Sequence, residues 1–419
     1  MKYSRTNFIH LLVVLLILSL STAVYGKDVS QIQEIKIGAI LPLTGSMAQI
    51  GAYGKHGFEM ALDQIRKEYP AIGKKINFIL EDNKSVPSES RSCSEKLVNK
   101  DKVFALTGDY ASSTCYAALV PLKTVSEPPI TILSGGTVDR IEKEFGQNKW
   151  FFHIHTWTYT YQKCIRNFLL EMKEPPKTIF LAYEDTDFGT THARYAKEYL
   201  SIKGMRLIGM ESFKTGAIDF TPLLTKAKMQ NPDVFYWIGY GGDAIQITKQ
   251  SKETNFNPKM FLNLVTVLYP SYATAVGEDA QYFVGNTMWE ASANYPASSK
   301  YPDGLPSTQE FIRRYQEKYK GIPDAFTIMT YLSLYQLAVA INEVGLDREG
   351  VIDYLEKLDT MSPMGPFKYR QSDLGGIHQA FHDMVVLQHQ NGKPVLIYPG
   401  NADKLVYPSP PWGKKWPKK

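Results

Sequence analysis

The sequence predicts an α/β protein made of two doubly wound parallel-sheet lobes joined by a multi-strand hinge. Three observations predict it. The chain has 419 residues, more than one hydrophobic core normally carries. Apolar runs of strand length alternate with amphipathic runs of helix length in two successive series, the pattern of parallel sheets with crossover helices. Helices and strands that return after the second series imply several crossings between the lobes, and multiple crossings make a hinge.

The first series opens with a strand at 35–41, then Pro42-Leu43-Thr44-Gly45 and a helix to about residue 69 that carries Gly51, Gly54 and Gly57. Their spacing is GxxGxxG rather than the GxGxxG of a dinucleotide site, so close packing of helix on sheet is the better explanation. A strand at 76–80 and a helix at 87–99 follow. The unit at 103–137 is where ligand chemistry concentrates. Its strands (103–107 and 130–133) flank a helix at 115–125 and run into Gly108-Asp109-Tyr110-Ala111-Ser112-Ser113-Thr114 and Ser134-Gly135-Gly136-Thr137. In open parallel sheets ligands sit beyond the carboxyl ends of the strands, where free N–H groups and a helix N-terminus favour an anion. Ser112 and Thr137 are therefore candidates for holding the charged end of a small ligand, with helix capping as the alternative use of both. A strand at 150–155 closes the lobe.

The second series runs helix 161–172, strand 178–183, helix to about 203, strand 206–213, helix 220–229, strand 234–238, helix 244–254 and strands 259–263 and 282–286. An irregular stretch rich in Pro, Ser, Tyr and Asn precedes helices at 307–319, 326–344 and 348–358. A short strand at 364–369 and a hairpin, 384–389 with 394–398 around Asn391-Gly392, end the pattern. The resulting division places 27–155 and 288–377 in lobe 1, and 156–287 and 378–419 in lobe 2.

Lys2 and Arg5 precede an apolar run at 11–20, and Ala23-Val24-Tyr25-Gly26 offers a cut after Gly26. Residues 1–26 thus read as a signal peptide, and the remainder as a soluble periplasmic protein. No other segment approaches the roughly 18 apolar residues of a membrane span. The net charge is +5 without a basic block, which gives no reason to expect nucleic acid. Cys93, Cys115 and Cys164 permit one disulfide, Cys93 with Cys115 if their helices are neighbours, or three buried thiols. The histidines are scattered and no CxxC is present, so no metal and no cofactor are expected. No GxSxG or HExxH motif occurs, and in Glu81-Asp82 and Glu184-Asp185 the adjacent carboxylates point to opposite faces of a strand. No catalytic residue is expected, and the chain does not read as an enzyme.

Taken together, these stretches resemble the type I periplasmic binding proteins of the leucine/isoleucine/valine-binding branch, soluble receptors for ABC importers. The resemblance is carried by 35–45 (IKIGAILPLTG) with Gly51, Gly54, Gly57 and Ala61, by Gly108 with Ser112-Ser113, by Ser134-Gly135-Gly136-Thr137, by 233–240 (DVFYWIGY) and by Met364-Gly365-Pro366-Phe367, in the right order along nearly the whole chain. It implies a monomer that closes two lobes on a small carboxylate-bearing or amide ligand, an amino acid or an aromatic acid, and delivers it to an inner-membrane permease. A periplasmic receptor that signals to a separate membrane partner is the alternative. It also implies that Ser112, Gly135 and Thr137 take a ligand carboxylate and that Tyr240 reaches in from the second lobe. The acidic residue that amino-acid binders use for the α-ammonium is missing, because Asn263-Leu264-Val265-Thr266 stands there. Phe188 replaces a tyrosine and Ile50 an aromatic. A buried ammonium without a partner is costly, so an α-amino acid ligand would require Asp109, Asp187, Asp243 or Glu290 as a substitute. Of Tyr110, Tyr183, Trp157, Phe188, Trp237, Tyr240 and Trp289, two or three are expected to face the cleft, with Tyr110, Phe188, Tyr240 and Trp289 foremost. That would favour a flat ligand such as an aromatic carboxylate.

Overall fold

A computed structural model describes residues 29–202, 204–301 and 304–414; the segment read as a signal peptide lies outside them. The first sheet comprises β1 (Ile35–Leu41), β2 (Ile76–Asp82), β3 (Ala105–Gly108), β4 (Ile130–Leu133) and β5 (Phe151–His153), all parallel, in the order β2-β1-β3-β4-β5. The order reverses between β1 and β3, which sends successive crossovers to opposite faces and opens a crevice at the loop after β3. Gly108 ends β3 with φ +93°, and a Cβ there would lie 2.1 Å from Ile40 O, so the loop leaves the sheet where only glycine fits.

The second sheet contains β6 (Thr178–Glu184), β7 (Arg206–Phe213), β8 (Val234–Ile238), β9 (Met260–Asn263) and β10 (Val284–Thr287). The pair β11 (Asp359–Ser362) and β12 (Gly365–Lys368) stands apart as a two-stranded ribbon. The hairpin β13 (Val385–Gln390) and β14 (Lys393–Tyr398) then joins the second sheet, giving the order β14-β13-β10-β9-β8-β6-β7. Because β13 pairs antiparallel with β10, this sheet is mixed where the alternating pattern suggested a parallel one. The turn forms as expected, with Asn391 and Gly392 both at positive φ, which suits the twist of a tight hairpin.

Helices Thr308–Tyr319, Ala325–Val344 and Arg348–Glu356 return to the first lobe, where Ile328, Leu332, Leu337 and Ile341 share a core with Ile35, Ile37, Phe58 and Ile65. Ala325–Val344 is long and apolar enough to span a membrane, contrary to the reading that no segment after the first is. It lies instead in the core, packed on Ala48–Glu68. The glycines explain how. A Cβ at Gly57 would lie 2.1 Å from Thr327 O, and one at Gly54 2.6 Å from the Phe326 ring. They serve helix-on-helix packing rather than helix-on-sheet packing, while Gly51 admits Pro42 O, which would lie 2.0 Å from a Cβ.

The chain passes between the lobes after β5, after β10 and beyond Phe381. The stretch at 378–381, assigned to lobe 2 from the sequence, stays on lobe 1 because His378 O accepts from His153 N at 2.8 Å and Ala380 N donates to His153 O at 2.9 Å. Cys93, Cys115 and Cys164 are free and buried, so the possible disulfide does not form.

Candidate functional site

A cavity lies between the lobes at the carboxyl ends of their strands. Tyr110 and Ser112 enter from the loop after β3, Thr137 from that after β4, His155 from after β5, Phe188 from after β6 and Tyr240 from after β8. Leu264, Val265 and Thr266 follow β9, and Phe326 and Met329 of the returning helix complete the wall. About 40 Å³ of it is open to the centre of a water molecule. The occupant must be compact.

One end gathers hydroxyls at a helix N-terminus. Ser112 begins the helix Ser112–Leu119, whose N-terminus has no side-chain cap and so presents first-turn N–H groups, that of Ser112 toward the Tyr240 hydroxyl. Ser112 Oγ accepts from Thr137 N at 3.1 Å, so its own hydrogen is available to a ligand. Gln162 Nε2 donates to His192 Nδ1 at 3.0 Å, which puts the imidazole proton on Nε2. That proton meets Thr137 Oγ1 at 3.4 Å and turns the threonine hydrogen outward. Burial holds His192 well below its ordinary pKa, so it stays neutral.

The rest is aromatic and apolar. Phe188 and Tyr240 stack at 4.8 Å with 23° between their planes, and Tyr110 stands edge-on to Phe326 at 4.9 Å. His155 Nδ1 donates to Thr156 O at 3.1 Å and its Nε2 accepts from Tyr161 OH at 3.3 Å. Burial lowers its pKa to about 4, so this ring too is neutral. Among the described residues, no aspartate, glutamate, lysine or arginine lines the cavity.

Residues 34–394 match the profile of the periplasmic binding proteins. The chain belongs to that family. This binding protein is 24% identical over 391 residues to "Leu/Ile/Val-binding protein homolog 7" of Brucella abortus (strain 2308), covering 88% of this chain and 92% of the relative. Its fold is similar to that of the Streptococcus pneumoniae branched-chain amino acid transporter substrate binding protein LivJ in complex with isoleucine, with TM-score 0.73, 23% identity, and coverage of 86% and 97%. It is equally similar to a solute binding protein of an R. palustris ABC transporter in complex with benzoate, with TM-score 0.74, 18% identity, and coverage of 87% and 95%. The two-lobed type I architecture is shared with both solved structures.

Of the residues singled out in this binding protein's sequence, Ser112, Thr137, Tyr240, Phe188 and Tyr110 meet at the cavity, and Gly135 and Trp289 do not. Gly135 lies behind it, where a Cβ would sit 2.4 Å from Tyr110 O, and it is Gly136 that borders the space. Trp289 is buried in the first lobe's core. Trp157 stacks on His153 at 3.7 Å and Trp237 packs beside Phe235 and Phe283, so both are structural, and Tyr183 packs against the second lobe's core.

None of the four substitute acids borders the cavity. Asp109 accepts from Asn83 Nδ2 and Ser90 Oγ, each at 2.8 Å, and from Tyr110 N at 2.6 Å, so it shapes the loop. Asp243 accepts from Tyr240 N at 3.3 Å, Asp187 is exposed, and Glu290 accepts from Ser292 N at 2.8 Å. Sequence reasoning missed His155, Tyr161, Tyr269, Phe326 and Met329. Only Phe326 and Met329 carried a signal, as apolar positions opening a helix that returns to the first lobe.

Proposed function

We propose that this chain is the substrate-binding component of an ABC importer, a periplasmic monomer that closes its lobes on a compact aromatic monocarboxylate and passes it to an inner-membrane permease. The carrying observation is that, among the described residues, no aspartate, glutamate, lysine or arginine stands in the cavity wall. An α-ammonium buried there would lose its hydration without a counter-charge, a cost of several kcal/mol. A carboxylate, by contrast, finds the Ser112 and Thr137 hydroxyls and a helix N-terminus, and such donors hold an anion without a cation because charge-assisted hydrogen bonds are strong in a dry cleft. Phe188, Tyr240 and Tyr110 offer ring faces and edges to a flat body. The similarity in fold to a benzoate complex is compatible with this reading, as similarity to an isoleucine complex is with the competing one. Transport needs no covalent step, only a ligand that favours the closed arrangement.

The test is thermal unfolding with benzoate- and cinnamate-type acids, leucine, isoleucine, valine, other amino acids and aliphatic amides, each at about 1 mM. A ligand of roughly micromolar affinity adds about 4 kcal/mol of stability at that excess. Stabilisation by aromatic acids alone is the expected result. Stabilisation by leucine or valine instead would sink the proposed ligand class.

A further inference from the structure

Tyr269 occupies a position that the binding chemistry above leaves unexplained. It sits between the short turn Thr266–Leu268 and the helix Pro270–Val276 of the second lobe, and its phenol hydrogen-bonds across the cleft to the phenol of Tyr110 in the first lobe. Burial holds both hydroxyls above their ordinary pKa, so both remain protonated and one donates to the other. On one side of the Tyr269 ring lies the ligand cavity. On a second side is a space of about 190 Å³, bordered by Gln49, Tyr53 and Gly242. On a third is a space of about 280 Å³ bordered by Leu268, Ala273, Ile322 and Pro323. Tyr269 is the one described residue common to all three walls.

We propose that Tyr269 is the residue that sets the length of the ligand: a single side chain, latched to Tyr110 when the lobes are closed, is the removable partition between a one-ring cavity and two adjoining spaces. Ser112 and Thr137 hold the charged end, and a ligand extending more than about one ring from it runs into the Tyr110–Tyr269 pair. The wall of the larger space is mainly apolar, with Glu290 and Asp324 at its border, whereas Ser46, Gln49 and Ser271 make that of the smaller one mixed, so a hydrocarbon extension is admitted into the larger space. Two substitutions separate the roles of the ring. Tyr269→Ala removes the wall and the latch together, whereas Tyr269→Phe keeps the wall and removes only the hydrogen bond.

The inference rests on the proposed ligand class, and the experiment separates the two. Calorimetric titration with benzoate, 3-phenylpropanoate, 4-phenylbutanoate and 4-biphenylcarboxylate is run on the wild type and both variants. The expected result is that Tyr269→Ala gains at least tenfold for the two longest acids relative to benzoate, while Tyr269→Phe weakens the whole series by a similar factor and keeps its order. An unchanged order in Tyr269→Ala that still binds benzoate overturns the proposal. If no protein binds an aromatic acid, the ligand class has failed instead. The same comparison is then made with straight-chain 2-amino acids of increasing length, where Tyr269→Ala must again shift the preference to longer members or the proposal falls.

Discussion

Replacing Ser112 with alanine separates a ligand-holding hydroxyl from one that only ties two loops together. Ser112 is 1% exposed, and its Oγ accepts from Thr137 N at 3.1 Å. Ser112→Ala therefore does two things. It leaves the Thr137 N–H without its acceptor, which costs the ligand-free protein about 1–3 kcal/mol as an unsatisfied buried donor. It also removes a hydroxyl donor from the anion end, and a hydrogen bond to a charged group contributes about 1.5–3 kcal/mol. At about 1.4 kcal/mol per tenfold, Kd for a bound carboxylate should rise roughly 10- to 150-fold. Isothermal titration at fixed ionic strength reads the affinity, and urea unfolding without ligand reads the stability. A fall in stability with Kd changed less than about threefold would refute the assignment, because Ser112 would then be a structural tie and the carboxylate would bind elsewhere.

Gly57→Ala places a methyl where Thr327 O and Thr330 Oγ1 would each lie 2.1 Å away; since overpacking costs about 1–3 kcal/mol, the urea midpoint should drop with little change in ligand specificity. Stability should also fall as pH rises from about 6.5 to 8. Burial raises the Glu184 carboxyl to about 8, so the folded state holds a proton that the unfolded chain has released, and stability declines until that proton is lost. The buried His153 and His155, lowered to about 3 and 4, act in the opposite sense but only below about 6.5. Asp109, Asp243 and Asp324, raised to about 6, have largely released their protons by 6.5. Thermal scans across pH should show Glu184→Gln without the decline above 6.5, and an identical slope in both proteins would remove Glu184 as its cause. Cys93 and Cys164 are pushed up by burial to about 11 and 12, and Cys115 is raised further still. An aromatic disulfide reagent at pH 8 should therefore leave the native protein unmodified and label all three thiols in denaturant; rapid native labelling would contradict the packing.

Most of the architecture was legible in the chain because it follows from local periodicity. Apolar runs at β1, β4, β6 and β8 mark buried parallel strands, and Asn391-Gly392 accepts the positive φ that its turn requires. The meeting of Ser112 and Thr137 at one cavity was legible for a related reason. Ser112 and Thr137 follow strands that must be adjacent and parallel, so their loops share one edge of a sheet, and the register Gly108↔Leu133 places them there. The second sheet's mixed character was less visible, because whether β13 runs with or against β10 depends on a return path that no local pattern encodes.

By itself, then, the sequence determined two lobes, the loops that face the cleft, and the loss of the expected acid near Val265. Only the tertiary structure decided which side chains meet there. Trp289 has the composition of a cleft residue and lies in a core, whereas Tyr269 and Phe326, over 50 positions apart in the numbering, come to border one cavity. The charge of that cavity was likewise a tertiary fact. Asp109 and Glu290 sit on loops and Asp187 and Asp243 in the first turns of helices, and each is turned away by a backbone hydrogen bond or by solvent. Periodicity along a chain reports which face of an element is buried; it carries no information about which buried faces from distant elements end up opposite one another.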